Sequence, residues 1–341
     1  MTDQVTEIGL ILYPGVQMAA VLGMSDLFGA ANGVVARRRQ GAARVLRIAH
    51  WQDGVRIHDT LPEAETTPAV LIVPPSFGEP IPREAALLHA DWLRKCHSNG
   101  AALGSICTGA FVLGETRLLD GRTVTTHWTF DEQMRERFPK VRLDLDRMVI
   151  EDGDIITGGG AMSWVDVGLK LVDRFLGPDV MVETARTLLV DPPHREQRYY
   201  SGFAPHLSHG DADVLKVQHW LQATGAREIE LSRLAEEAGL QERTFLRRFK
   251  KATDLTATEY IQRLRISKAR ELLQFGSLTV DQIAWEVGYG DTSAFRKVFT
   301  KIVGLTPAGY RQRFRVYVSQ TGKQKEPRRG RKMSQNSYRP S

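Results

Sequence analysis

The chain has 341 residues, two cysteines and a formal net charge of +6. That length leaves room for two domains, each with its own core, and two cysteines exclude a disulfide framework and predict thiols kept reduced in a cytoplasm. A polar, acidic start, and no unbroken apolar run near the roughly 18 residues of a spanning helix, predict neither export nor a membrane partner.

Over residues 1–190, short β-branched or aliphatic runs at 8–12, 45–49, 70–73, 101–103, 147–150 and 154–157 alternate with helix-like segments at 18–31, 83–98, 128–138 and 162–175. The alternation predicts an α/β sandwich of flavodoxin-like type with a mainly parallel sheet. Ligands of such sheets collect at the carboxyl ends of the strands. One strand end stands out: Ala101-Ala-Leu-Gly-Ser-Ile-Cys-Thr-Gly-Ala110 runs from strand through a tight turn into a helix and places Cys107 on the turn. A helix start there aims the N–H groups of Thr108 and Gly109 at the ligand side, which favours a thiolate or a bound anion.

This elbow, with Thr125-Thr-His-Trp128 after it, resembles the ThiJ/PfpI branch of the class I glutamine-amidotransferase-like superfamily. In the enzymes of that superfamily the resemblance makes the elbow cysteine the nucleophile, assisted by a histidine; Cys107 and His127 occupy those places. Two departures weigh against catalysis. Ala20 stands where the enzymes carry a glutamate that touches the cysteine, and Pro74-Pro75-Ser76 replaces a Pro-Gly-Gly loop that lends a backbone N–H to an oxyanion hole. Proline has no N–H to give, and the missing carboxylate removes a proton-handling group. A ligand pocket of Cys107, Thr108, Gly109, His127, Trp128, Pro75 and Ser76 is expected, with no catalytic residue; an active thiol and an inert cysteine in a dimerisation domain stay open.

Other polar clusters carry plainer readings. His206-Leu-Ser-His209 has a metal-like spacing without a supporting cysteine or carboxylate cluster, so it reads as solvated linker, and no metal or cofactor is expected. Gly158-Gly-Gly160 reads as a turn, and the acids at 144–146 and 151–154 as hairpin residues. Pro192, Pro193, Gly202, Pro205 and Gly210 make 191–211 a linker.

Charge then changes sign. Residues 1–210 carry 21 basic and 26 acidic side chains, a net of −5, while residues 211–341 carry 25 and 14, a net of +11. A basic half suits a polyanion, whose condensed counterions are released on binding. Within it two similar patterns recur. In the first, 231–249, Gly239 marks a turn, Phe245 and Phe249 point inward at i, i+4, and Arg243, Leu246 and Arg247 face the other way. In the second, 279–299, Ile283, Ala284 and Val287 give an apolar face, Gly288 the turn, and Phe295 and Phe299 the core side, leaving Thr292, Ser293, Arg296 and Lys297 outward. With Thr244 and Lys250 added, these outward residues are the candidate DNA contacts. An amphipathic stretch, 257–275, joins the copies.

Two such copies resemble the AraC/XylS transcription regulators through Ala269-Arg-Glu-Leu-Leu273, Ile283-Ala-Trp-Glu-Val-Gly-Tyr289, Phe295-Arg-Lys-Val-Phe299 and Gly304-Leu-Thr-Pro-Ala-Gly-Tyr-Arg311, over residues 211–318. The resemblance implies seven helices and two helix-turn-helix units, each placing one helix in successive major grooves of double-stranded DNA. Joined to the elbow domain, the chain is similar to GlxA-type regulators, a match that extends through Tyr13-Pro-Gly15, 114–121 and His194-Arg-Glu-Gln-Arg-Tyr199. That implies a homodimeric, cytoplasmic activator that works with RNA polymerase and answers a small-molecule effector; related regulators respond to amino acids and quaternary amines, for which Trp128 offers one wall. The rival reading is a cysteine-dependent amidase, peptidase or glyoxalase-like enzyme tethered to DNA. The expected division is a sensing and dimerisation domain at 1–190, a linker at 191–211, a DNA-binding domain at 212–318 and a basic disordered tail at 319–341.

Overall fold

The computed structural model describes residues 4–38, 44–193, 195–227 and 230–316; the 319–341 segment and His194 lie outside the described residues. Two compact units divide the chain, one of residues up to 208 with 298–305, the other of 209–297 with 306 onward.

The first unit is built on β1 (Gln4–Leu12), α1 (Met18–Arg38), β2 (Arg44–Gln52), β3 (Val55–Asp59), β4 (Pro68–Val73), α2 (Arg83–Ser98), β5 (Ala102–Ile106), α3 (Gly109–Gly114), β6 (Thr123–Val124), α4 (Asp131–Arg137), β7 (Arg142–Leu143), β8 (Val149–Asp152), β9 (Ile155–Gly158), α5 (Trp164–Leu176) and α6 (Pro178–Leu188). Seven strands form one sheet in the order β3-β2-β1-β4-β5-β9-β8. The five inner strands run parallel, and only β3 and β8 pair antiparallel at the edges. A parallel sheet is covered on both faces, and the strand residues alternate accordingly. Ile8, Leu10, Val70, Ile72 and Ile156 meet Val21, Met24, Phe28, Val167 and Leu171 on one side. Ile11, Leu71, Val73, Leu103 and Ile155 meet Ala86, Leu93, Phe111, Met134 and Phe138 on the other.

Two expectations need correction. Helix α1 is long and apolar enough, by length and composition, to cross a membrane. Its glycines, Ser25, Asp26 and Asn32 break up the apolar runs and so hid a high average. In the structure α1 is the crossover from β1 to β2 and buries Ala20, Val21, Met24, Leu27, Phe28, Ala31 and Val34. The helix expected over 128–138 is also two pieces: a 3-10 turn at Trp128–Phe130, capped by His127, and then α4.

Beyond residue 208 the described residues form seven helices: α7 (Ala212–Thr224), α8 (Leu231–Ala238), α9 (Glu242–Thr253), α10 (Ala257–Phe275), α11 (Val280–Glu286), α12 (Thr292–Val303), whose second half falls in the 298–305 stretch, and α13 (Pro307–Phe314). Their starts are written locally. Thr256 with Glu259 and Thr279 with Gln282 form reciprocal capping boxes, and Asp211 and Thr306 cap α7 and α13.

Candidate functional site

Strand β5 ends in a turn that only tertiary contacts can hold. Cys107 has φ +53, a left-handed conformation that costs a non-glycine residue on the order of 1 kcal/mol or more. Its N–H donates to Gly158 O at 2.7 Å, and Thr126 Oγ1 donates to its carbonyl at 2.8 Å. Gly109 follows because nothing larger fits: a Cβ there would lie 2.3 Å from Val73 O. The loop after β4 is fastened to the same turn. Ser76 N–H donates to Thr108 Oγ1 at 2.7 Å, the two hydroxyls lie 3.0 Å apart, Tyr13 Oη donates to Pro74 O at 2.6 Å, and Pro75 O accepts from Gln17 N–H at 2.7 Å. Ala20 is fully buried.

The electrostatics correct the expectation of a thiolate. Cys107 is 4% exposed, and burial pushes its thiol up to about 11, although backbone N–H groups of Thr108 and His127 pull the other way. Two amide dipoles do not repay the lost hydration of a thiolate, so the group is a neutral S–H at neutral pH. His127 faces the sulfur through its backbone. Its ring Nδ1 lies 2.7 Å from Thr129 Oγ1, the ring stacks on Trp128 at 5.5 Å, and burial holds its basicity below the usual imidazole range.

The sequence reading missed Gln197, which lies in the stretch taken as linker. It is 2% exposed. Its Nε2 donates to Thr126 O and Leu145 O, each at 3.0 Å, and its Oε1 accepts the Trp128 N–H at 3.0 Å. Gly159 makes room for it, since a Cβ there would lie 2.7 Å from Nε2. Beside it the backbone of Glu196 forms an isolated antiparallel bridge with that of Arg147, and Arg195 pairs with the buried Asp166. The available sign was a lone glutamine among charges in Arg195-Glu-Gln-Arg-Tyr199. A groove of about 400 Å³ opens nearby, lined by Glu79, Ile81, Phe111, Gln133, Glu136 and Arg137 among others. None of the seven expected ligand residues lines it.

Phe245, Phe249 and Phe295 of the second unit are fully buried, as is Phe299, which lies in the 298–305 stretch. Arg243, Arg247 and Lys250 on α9 are exposed, as are Ser293, Arg296 and Lys297 on α12, whereas Thr244, Leu246 and Thr292 are half-buried. Asp291 caps α12 by accepting from the N–H groups of Ser293 and Ala294 at 2.9 and 3.0 Å. Arg296 is held by Asp281 of α11 at 2.8 Å. Glu271 pairs with Lys268 at 2.8 Å, away from the recognition helices. The exposed arginines and lysines of α9 and α12 are fork donors and cations, the side-chain types suited to base edges and phosphates.

Two family models match parts of the chain. A helix-turn-helix domain model matches residues 234–313, and a DJ-1/PfpI family model matches residues 58–174. The HTH-type transcriptional regulator GbdR of Pseudomonas aeruginosa is 27% identical over 263 residues, 76% of this chain and 71% of that protein. GlxA of Rhizobium meliloti, also an HTH-type transcriptional regulator, is 28% identical over 65% of this chain and 68% of its own length. Among solved structures, an AraC family transcriptional regulator from Pseudomonas putida is 20% identical over 54% of this chain and 99% of its own, with a TM-score of 0.43. The chain belongs to the AraC-family regulators of the GlxA type, DNA-binding transcriptional regulators in which a helix-turn-helix domain follows a DJ-1/PfpI-type domain.

Proposed function

We propose that this regulator is an effector-responsive activator in which the elbow domain senses a small metabolite and does no chemistry on it. The carrying observation is that Cys107 keeps a strained φ of +53 while its thiol is neutral and buried. Strain held at a site without a charged nucleophile supports binding over turnover. Ala20 in place of a carboxylate and Pro75 in place of an N–H donor support the same reading. Residues 1–190 sense and dimerise, 191–211 link, and 212–318 bind DNA as a cytoplasmic homodimer that engages RNA polymerase. The effector is an amino acid or quaternary amine held near Cys107, Thr108, Gly109, Pro75, Ser76, His127 and Trp128. It acts as far as it binds the DNA-competent state better than the other. Helices α9 and α12 enter successive major grooves about 34 Å apart, through Arg243, Thr244, Leu246, Arg247 and Lys250 on one and Thr292, Ser293, Arg296 and Lys297 on the other.

Thermal-shift screening of the full chain against amino acids and quaternary amines tests the sensing role. A ligand that raises the melting temperature and alters affinity for DNA is expected, with the response weakened in Cys107→Ser. Cys107-dependent turnover of an amide, peptide or methylglyoxal at ordinary enzymatic rates would hand the site to the enzyme reading.

A further inference from the structure

Two helix ends in the second unit converge on one side chain. Arg265 of α10 donates from Nε to Ala226 O at 2.8 Å and from Nη1 to Gly288 O at 2.9 Å. Ala226, at φ +54, follows the left-handed Gly225 that ends α7, and its N–H returns to Leu221 O at 3.0 Å. Gly288, at φ +87, forms the turn between α11 and α12. Both acceptors therefore lie just past helix carboxyl ends, where the macrodipole leaves negative charge and favours a cation. The guanidinium also lies 5.5 Å from the centroid of the Tyr289 ring. A Cβ on Gly288 would be 3.2 Å from Arg265 Cζ, so the turn is shaped around the fork.

Each end is tied onward to a recognition helix. Arg248 of α9 pairs with Asp211 at 2.6 Å and Asp213 at 2.9 Å, at the start of α7. Lys216 of α7 donates to Glu237 O of α8 at 2.7 Å. On the other side Tyr289 packs edge-on against Phe295 of α12, with centroids 5.5 Å apart. A continuous chain of contacts thus runs from α9 through Arg248 and α7 to Arg265, and from there through the Gly288 turn to α12. The exposed Arg227–Glu286 ion pair also spans the two halves, but an exposed pair fixes little geometry; without the half-buried fork, rotation about α10 would change the angle between the two recognition helices.

We propose that Arg265 is a positioning residue that sets the helical phase between the two recognition helices and makes no contact with DNA. The inference rests on the reading that α9 and α12 enter successive grooves. The test uses the full chain, a duplex that the wild-type protein selects from a random pool, and versions with one or two base pairs inserted between the two protected grooves. Each insertion turns one groove by roughly 35° relative to the other. The wild-type protein should lose on the order of a hundredfold in affinity with two insertions. Arg265→Met keeps an apolar stem without N–H donors. It should bind the parent duplex about tenfold more weakly, yet lose less than fivefold more on insertion, with an unchanged salt slope. An insertion penalty equal to that of the wild-type protein would mean that Arg265 only stabilises the fold, and a salt slope shallower by about one would make it a phosphate contact; either result overturns the inference. If Arg265→Met does not fold, Arg265→Lys, which reaches one carbonyl at a time, must show a reduced penalty, and an unchanged one decides against the proposal. A wild-type footprint of a single groove removes the two-groove reading and this inference together, whereas a two-groove footprint with an unchanged penalty removes this inference alone.

Discussion

Cys107 and Gly288 each occupy a turn of positive φ that leads into a helix, yet the polar groups around them are used in opposite ways. Around Cys107 they are consumed inside the fold: Thr108 by Ser76, Thr126 by the Cys107 carbonyl, and Gln197 by Thr126, Leu145 and Trp128. Beyond Gly288, Ser293, Arg296 and Lys297 of α12 reach solvent. On α12, Phe295 and Phe299 hold the helix from one side, while Ser293, Arg296 and Lys297 on the other side are exposed, with Arg296 paired to Asp281. An interior turn is assembled from residues far apart in the chain, and the strain at Cys107 is offset only by that assembly.

If this contrast is right, the largest effect falls on the interior side. Gln197→Ala would leave the Trp128 N–H and the Thr126 and Leu145 carbonyls without their partner. Each buried polar group left unmade costs about 1–3 kcal/mol, so a loss on the order of 3 kcal/mol is expected in urea unfolding of the first unit. A change below about 0.5 kcal/mol would mean that water replaces the amide without cost and that the elbow is less closed than its burial indicates.

Cys107 sharpens the same comparison through pH. An ordinary cysteine ionises near about 8.5, whereas burial raises this one to about 11. At pH 8 its alkylation by iodoacetamide should be roughly a hundredfold slower than that of a free thiol, and the rate should keep rising past pH 9. The linkage has a definite sign. The folded pKa lies above the unfolded one, so the thiol's contribution to stability is complete below the ordinary value and is lost as pH rises toward about 11. A rate plateau near pH 9 would mean that burial does not raise the thiol above its ordinary range.

On the DNA side the expected effect is smaller and confined. Arg247→Ala should relax the preference at one base pair by about 1–3 kcal/mol while leaving other positions of the site unchanged. Base-substitution affinities identical to those of the wild-type protein would remove Arg247 from the readout. A uniform loss across all sequences would make it a phosphate contact.

The helical unit was legible because its information is local. Phe245 with Phe249 and Phe295 with Phe299 sit one helical turn apart, and the linking stretch 257–275 coincides with α10. The parallel sheet was legible for the same reason, through alternating runs of strand and helix. Edge strand β3 escaped because Val55-Arg-Ile-His-Asp59 is short, and its two alternating apolar residues, Val55 and Ile57, lie exposed rather than against the core.

What the sequence by itself determined, then, is the order and type of most elements, the elbow position of Cys107 and the outward arginines of α9, because period and turn chemistry act within a few residues. Tertiary structure alone decided that the thiol is neutral, that Gln197 belongs to the first unit, that Leu246 is half-buried and that Arg265 grips two helix ends. Desolvation and hydrogen bonding depend on which distant groups arrive at an atom. Gln197 and Thr126 are 71 positions apart, and Arg265 and Ala226 are 39; no local pattern encodes such a meeting, and only the packed chain brings it about.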